Sequence, residues 1–182
     1  MPTDIAMLRG INVGGHKRVK MDKLRAGCQS LGFEDVKTYI QSGNIVFRAA
    51  KMPDTALATK LRDCITRDFG FSADVITRTG EEMGRVIDCN PLLKEKGVDE
   101  SKLHVVFLAQ KPSPASLKKL QELTLAPDRV RNLDLEIYFY FPNGVSGSSL
   151  WKHPLDKVLT VTGTMRNWNT VNKLHEMARE IG

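Results

Sequence analysis

Apolar positions recur along this chain in two rhythms, and each rhythm predicts one kind of element. Met21, Leu24, Cys28 and Leu31 stand at offsets 0, 3, 7 and 10. That spacing puts them on one face of an amphipathic helix, which Gly32 is placed to end. A second helix opens at Pro53-Asp54, turns Leu57, Leu61, Cys64 and Ile65 inward and stops at Gly70. Around these helices the period shortens to two. Thr3 to Arg9, Val36 to Gln41, Asn44 to Arg48 and Ala73 to Thr77 read as strands, with Ser42-Gly43 as a tight hairpin turn. The order β-α-β-β-α-β is the ferredoxin-like arrangement, an antiparallel sheet with two helices on one face.

The pattern then nearly repeats. A short helix at Glu81 to Asp88 and a polar stretch from Asn90 to Ser101 form a joint. Lys102 to Ala109 reads as a strand, and Lys111-Pro112-Ser113-Pro114 starts a helix carrying Leu117 and Leu120. Strands follow at Arg129 to Leu133 and Leu135 to Phe141, and Pro142-Asn143-Gly144 turns the chain. The last helix runs from Trp168, with Val171, Leu174, Ala178 and Ile181 inward. The expected fold is α+β: two ferredoxin-like halves related by duplication, the second lacking its last strand. The expected division is 1–80, a helical joint 81–101, and 102–182.

Strand alternation sorts the tyrosines. Leu135, Ile137, Phe139 and Phe141 share one face, and Tyr138 and Tyr140 share the other. Tyr39 likewise falls opposite Val36 and Ile40. All three tyrosines thus point away from the helix-packed cores. They form either an open surface for single-stranded RNA or a face covered by other parts of the protein. Cover is the favoured reading, because an exposed aromatic face is a liability unless used, and the RNA-binding strand signature is absent.

Composition narrows the classes. The chain has 182 residues, 41% hydrophobic and 26% charged, which argues against disorder. With 27 Lys and Arg against 21 Asp and Glu, the net charge of +6 favours anionic partners. Cys28, Cys64 and Cys89 are odd in number and form no C-x-x-C pair, so neither a disulfide framework nor a thiolate zinc site is expected. Cys28 and Cys64 fall on apolar helix faces, and Cys89 reads as a buried, inert thiol. No apolar run reaches the roughly 20 residues of a membrane span. Met1-Pro2-Thr3-Asp4 lacks the features of a signal peptide. The expected setting is the cytoplasm, with no membrane partner.

Three polar segments are candidates for chemistry. Gly10 to Lys17 comes close to a phosphate-binding G-x-x-x-x-G-K-[ST] loop, but His16 intrudes before Lys17 and Arg18 replaces the hydroxyl residue. A weaker reading remains: a glycine-rich turn flanked by Arg9, Lys17, Arg18 and Lys20 can hold an anion. Gln41, Ser42 and Asn44 cluster at a hairpin tip, where backbone geometry alone favours such residues. In Thr164 to Thr170, Asn167, Asn169 or Thr170 can cap the last helix. Arg166 carries the wrong charge for that helix start, which suggests a carboxylate or an anionic ligand as its target. Trp168 reads as a core anchor. His175-Glu176 fails the zinc-protease motif because position 179 is Arg. No metal or cofactor is implied.

These segments resemble a bacterial family catalogued as domain-of-unknown-function family 1697. The likeness runs through Leu8-Arg9-Gly10-Ile11-Asn12-Val13-Gly14-Gly15, Leu31-Gly32-Phe33, Thr38 to Asn44, Asn90-Pro91, Leu103-His104-Val105, Arg166 to Val171 and Lys173-Leu174. The resemblance implies a two-part α/β fold with ferredoxin-like halves and brings no activity with it. The chain departs from the family pattern at Leu92, usually Phe, and at Gly147 and Ser149 around Ser148, usually Arg and Lys.

Three functional readings follow. In the first, Arg9, Asn12, Gly14, Gly15 and Lys17 converge with Gln41, Asn44, Arg166 and Asn169 on one site for a phosphate-bearing ligand or nucleic acid. In the second, an enzyme acts on a phosphorylated or carboxylated small molecule there, with His16 as acid or base. In the third, the tyrosine faces serve a structural or interaction protein, including a homodimer.

Overall fold

The computed structural model describes residues 1–182. The chain folds as two compact units, Met1–Arg85 with Asn172–Gly182, and Val86–Val171. The first contains β1 (Thr3–Leu8), α1 (Met21–Ser30), β2 (Glu34–Tyr39), β3 (Asn44–Arg48), α2 (Asp54–Phe69) and β4 (Val75–Thr79). After α3 (Gly80–Asp88), the second contains β5 (Leu103–Leu108), α4 (Pro114–Leu123), β6 (Arg129–Leu133), β7 (Glu136–Tyr140), a five-residue α5 (Leu155–Leu159) and β8 (Gly163–Asn167). The closing helix α6 (Trp168–Ile181) starts in the second unit and ends in the first.

Each unit carries one four-stranded antiparallel sheet, ordered β2-β3-β1-β4 and β6-β7-β5-β8. Both are the ferredoxin-like order. The sheets also share register. Ile5 stands opposite Val46 and Arg78, and Val105 opposite Tyr138 and Arg166. Leu8 N donates to Gly43 O at 2.8 Å, and Leu108 N donates to Leu135 O at 2.9 Å. Arg9 N donates to Asp74 O and Ala109 N to Thr162 O, each at 2.9 Å. The units are structural duplicates down to their ladder bonds.

The expectation that the second half lacks a last strand is corrected: β8 pairs with β5 along its length. Its sequence, Gly-Thr-Met-Arg-Asn, has no apolar alternation because two polar side chains, Thr164 and Arg166, are buried. Gly163 is required there. A Cβ would lie 2.9 Å from both Leu108 Cδ2 and Val106 Cγ1.

In the first unit α1 and α2 pack on Ala6, Leu8, Ile45 and Phe47, and Phe33 stacks on Phe47 at 4.5 Å. Cys28 and Cys64 are buried as expected, whereas Cys89 is exposed, a correction to its reading as a buried thiol. On the opposite sheet face Ile5, Met7 and Val46 are wholly buried. There Lys37 pairs with Glu180 of α6 at 3.0 Å. In the second unit Val106, Leu108, Ile137, Phe139 and Phe141 form the core under α4 and α5. The tyrosine face is covered: Tyr138 is 1% and Tyr140 7% exposed. Tyr138 Oη donates to Val86 O at 3.0 Å and Tyr140 Oη to Gly97 O at 3.2 Å, so the segment leading into β5 forms this cover. Trp168 is buried as an anchor. Asn167 caps α6 by accepting from Thr170 N at 2.8 Å.

Candidate anion-binding cleft

The connection from β1 to α1 does not wrap a phosphate in the manner of a P-loop. It doubles back on itself. Gly14 and Gly15 both have positive φ, 59° and 78°, between the bridged residues Val13 and His16. That is the type I′ hairpin geometry, which needs left-handed backbone at both central positions. Asn12 N donates to Lys17 O at 3.1 Å and extends the pairing. The result is an exposed finger, with Val13 67% accessible at its tip.

Asn12 staples this finger to the sheet. Its Oδ1 accepts from Val19 N at 2.8 Å, and its Nδ2 donates to Val19 O at 3.1 Å and to Gln41 O at 2.7 Å. The last bond ties the finger to the turn between β2 and β3. Gly43 completes the join, since a Cβ there would lie 2.6 Å from Ile11 Cδ1 and 2.8 Å from Leu8 Cβ. Asn44 closes the same turn by donating to Tyr39 O at 3.0 Å and Ser42 Oγ at 2.9 Å. The turn spans residues 40–43 and β2 ends at Tyr39, a longer turn than the expected Ser42-Gly43. Two strings that the sequence separates therefore meet at one end of the first sheet.

Beside this join lies a cleft of about 820 Å³, lined by Asn12, Gly15, Arg18, Lys20, Lys23 and Gln41, among others. Val19 is buried and Lys17 donates to Ser72 O at 3.1 Å, while Arg18 and Lys20 face solvent. Neither Arg18 nor Lys20 has an acidic partner. Asp22, on the cleft wall, is held by Arg25 instead. Lys23 donates to Asp68 O and lies 4.9 Å from the centre of the Phe69 ring. Lys20 is also the N-cap of α1 and offers no side-chain acceptor to the helix. The first-turn amides of α1 thus open without a cap beside two unpaired cations, an arrangement that favours an anion.

Of the residues expected at the site, Asn12, Gly15 and Gln41 line the cleft. Gly14 shapes the finger. Arg9 turns to Asp74, 3.8 Å away, and Lys17 to Ser72. Asn44 is fully buried in the turn. Arg166 belongs to the second unit, where its Nη1 donates to Thr164 Oγ1 and Met165 O, each at 2.8 Å. Burial lowers its pKa to about 10. Asn169 is exposed on α6. His16 sits on the open finger. Arg18 and Lys20, noted from sequence only as flanking charge, are the side chains that the cleft presents.

The sequence model of a family described as a protein of unknown function, DUF1697, matches residues 1–138. The chain belongs to that family. Both strings that meet at the cleft lie inside the matched range of this DUF1697 chain, and the string from Arg166 to Val171 lies beyond it. No curated protein matches the chain. Among solved structures, it is similar to the conserved bacterial protein SP0830 from Streptococcus pneumoniae. That structure has a TM-score of 0.78 at 23% identity, over 97% of this chain and 98% of that one. The likeness is one of fold. No helix is long and apolar enough to cross a membrane.

Proposed function

We infer that the DUF1697 chain binds a phosphate-bearing ligand in the cleft of its first unit. The observation that carries this reading is the pair Arg18 and Lys20, unpaired beside the uncapped start of α1. Cations at a helix N-terminus oppose its dipole, and an anion between them turns that repulsion into attraction. The cleft volume falls in the range of small-molecule sites. Asn12 holds the walls, and the Gln41 carboxamide is an exposed polar group on the rim. The setting in this reading is the cytoplasm. Nucleic acid is the alternative source of phosphate. Its binding has to rest on the finger and cleft, because Tyr138 and Tyr140 are buried and offer no stacking platform.

The enzymatic reading has less support, since His16 stands on the exposed finger and is not among the residues that line the cleft. The homodimer reading loses its motive where the tyrosines of the second unit are covered within one chain. Titration calorimetry with a sugar phosphate tests the proposal. Heat of binding that disappears in Arg18→Ala/Lys20→Ala is the expected result, and equal binding by that variant contradicts it.

A further inference from the structure

A second cleft, of about 590 Å³, lies in the second unit along the outer strand β6. One wall is the face of α4 that carries Leu117, Gln121 and Thr124. The other is β6 itself, from Arg129 to Asn132. β6 pairs with β7 on one side only, so half of its amides and carbonyls have no strand to meet. Val130 O marks which half, because it accepts from the Arg131 guanidinium at 2.8 Å. Alternation then turns the backbone of Val130 and Asn132 outward, while Arg129, Arg131 and Leu133 bond to β7.

The duplicate unit treats the same edge differently. β2 holds the outer place in the first sheet, and its register shifts between Glu34 and Lys37. A bulge of that kind keeps another strand from pairing. β6 stays in register with β7 from Arg129 to Leu133. The blunted copy shows that this fold can close the edge, and β6 leaves it regular with a cleft alongside.

The two faces of β6 suit different side chains. On the helix side Val130 packs with Leu117 against the core. On the other side Arg129 and Arg131 stand opposite Tyr140 and Tyr138. Both guanidiniums bond to Glu95, Arg129 Nη1 to Oε2 at 3.1 Å and Arg131 Nη2 to Oε1. Two cations thus share one carboxylate, which leaves a positive charge beside an open strand edge. A second copy of the chain is a poor match for it. Antiparallel pairing about Val130 sets Arg129 against Arg131, and pairing about Arg131 sets that residue against itself. Like charges directly opposite destabilise a sheet. A strand with carboxylates at alternate positions meets attraction there instead.

We propose that β6 is a docking edge for an extended acidic segment of a partner protein, which adds as a fifth strand. Its backbone bonds to Val130 and Asn132. Its apolar side chains enter the cleft against Leu117 and Val130, and its carboxylates, alternating with them, meet Arg129 and Arg131. This surface uses none of the residues of the phosphate cleft, and the two proposals stand or fall separately.

Titration of the full chain with two blocked octapeptides tests it, one alternating valine with glutamate and the other valine with lysine. The glutamate peptide is expected to bind about tenfold or more tighter. In its presence, amide exchange followed by NMR is expected to slow at Val130 and Asn132. That readout is taken on wild type and does not depend on the fold of any variant. Arg131→Glu is expected to reverse the preference between the peptides. No binding of either peptide, equal binding of both, or binding without protection at Val130 and Asn132 would overturn the proposal. So would a folded Arg131→Glu chain that keeps the wild-type preference. A concentration-dependent dimer that protects the same amides without peptide would assign the edge to a second copy and overturn it as well.

Discussion

The same junction is built twice in this molecule, and only one copy is left open. β1 and β5 leave their sheets through matching bonds, Arg9 N to Asp74 O and Ala109 N to Thr162 O. In the second unit the chain then reaches its helix through Gln110–Ser113. Pro114 begins α4, and Ser113 Oγ accepts from Ser116 N at 3.1 Å, a standard cap. In the first unit Gly10–Lys20 intervene, form the finger, and deliver a lysine to the N-cap with no cap bond. The closed version shows that the fold does not need an open helix start. The open version keeps its amides and cations for something else.

The comparison can be broken most forcefully at the join between finger and turn. Gly43→Ala places a Cβ 2.6 Å from Ile11 Cδ1 at φ 81°. It is expected to cost about 3 kcal/mol or more through overpacking and strain combined. Leu135, the counterpart, already carries a side chain, so Leu135→Ala is expected to cost about 1 kcal/mol. Urea unfolding of both variants checks the contrast, and similar losses would sink it.

The next effect separates the units by pH. Asp4 and His104 hold the same ladder position, opposite Phe47 and Phe139. Burial, with the nearby charges of Asp54 and Glu82, raises the Asp4 pKa from 3.8 to about 6. The folded state then holds a proton that the unfolded state has released, so this contribution to stability is full below about pH 4 and falls as pH rises to about 6. Asp4→Asn is expected to flatten that slope and to stabilise the chain at pH 7.5 by up to about 3 kcal/mol. A variant with the wild-type profile between pH 4 and 6 would contradict this assignment.

Smaller effects sharpen the picture. Asn12→Ala removes three hydrogen bonds and is expected to cost about 2 kcal/mol. It should also raise amide exchange in residues 12–19 first, which hydrogen-exchange mass spectrometry can read. Lys20→Ser copies Ser113 into the first unit. It is expected to gain about 0.5–1 kcal/mol from the new cap while weakening phosphate binding. A gain in stability with unchanged binding would mean that the open helix start is incidental.

Much of this architecture was legible because apolar period reports burial. Leu57, Leu61, Cys64 and Ile65 marked α2, and the alternation in β7 placed Tyr138 and Tyr140 on one covered face. β8 was not legible, since the residues it buries include Thr164 and Arg166, whose satisfaction by hydrogen bonds leaves no apolar signature. The turn at Ile40 was hidden for the opposite reason: an isoleucine reads as strand, and nothing in its identity announces a left-handed backbone. The cleft was half legible. The glycines and cations of the finger were visible as anion-binding material. Which of the cations pair inward and which stay open depended on Ser72, Asp68 and Asp74, residues 45 to 65 positions away in the chain.

Whether Arg18 and Lys20 hold a phosphate is decided by the melting temperature of wild type and Arg18→Ala/Lys20→Ala across a concentration series of one sugar phosphate at low salt. A ligand bound only by the folded state raises the midpoint with concentration. A rising curve is expected for wild type and a flat one for the variant, from similar starting temperatures. Curves that rise together, or two flat curves, would contradict it.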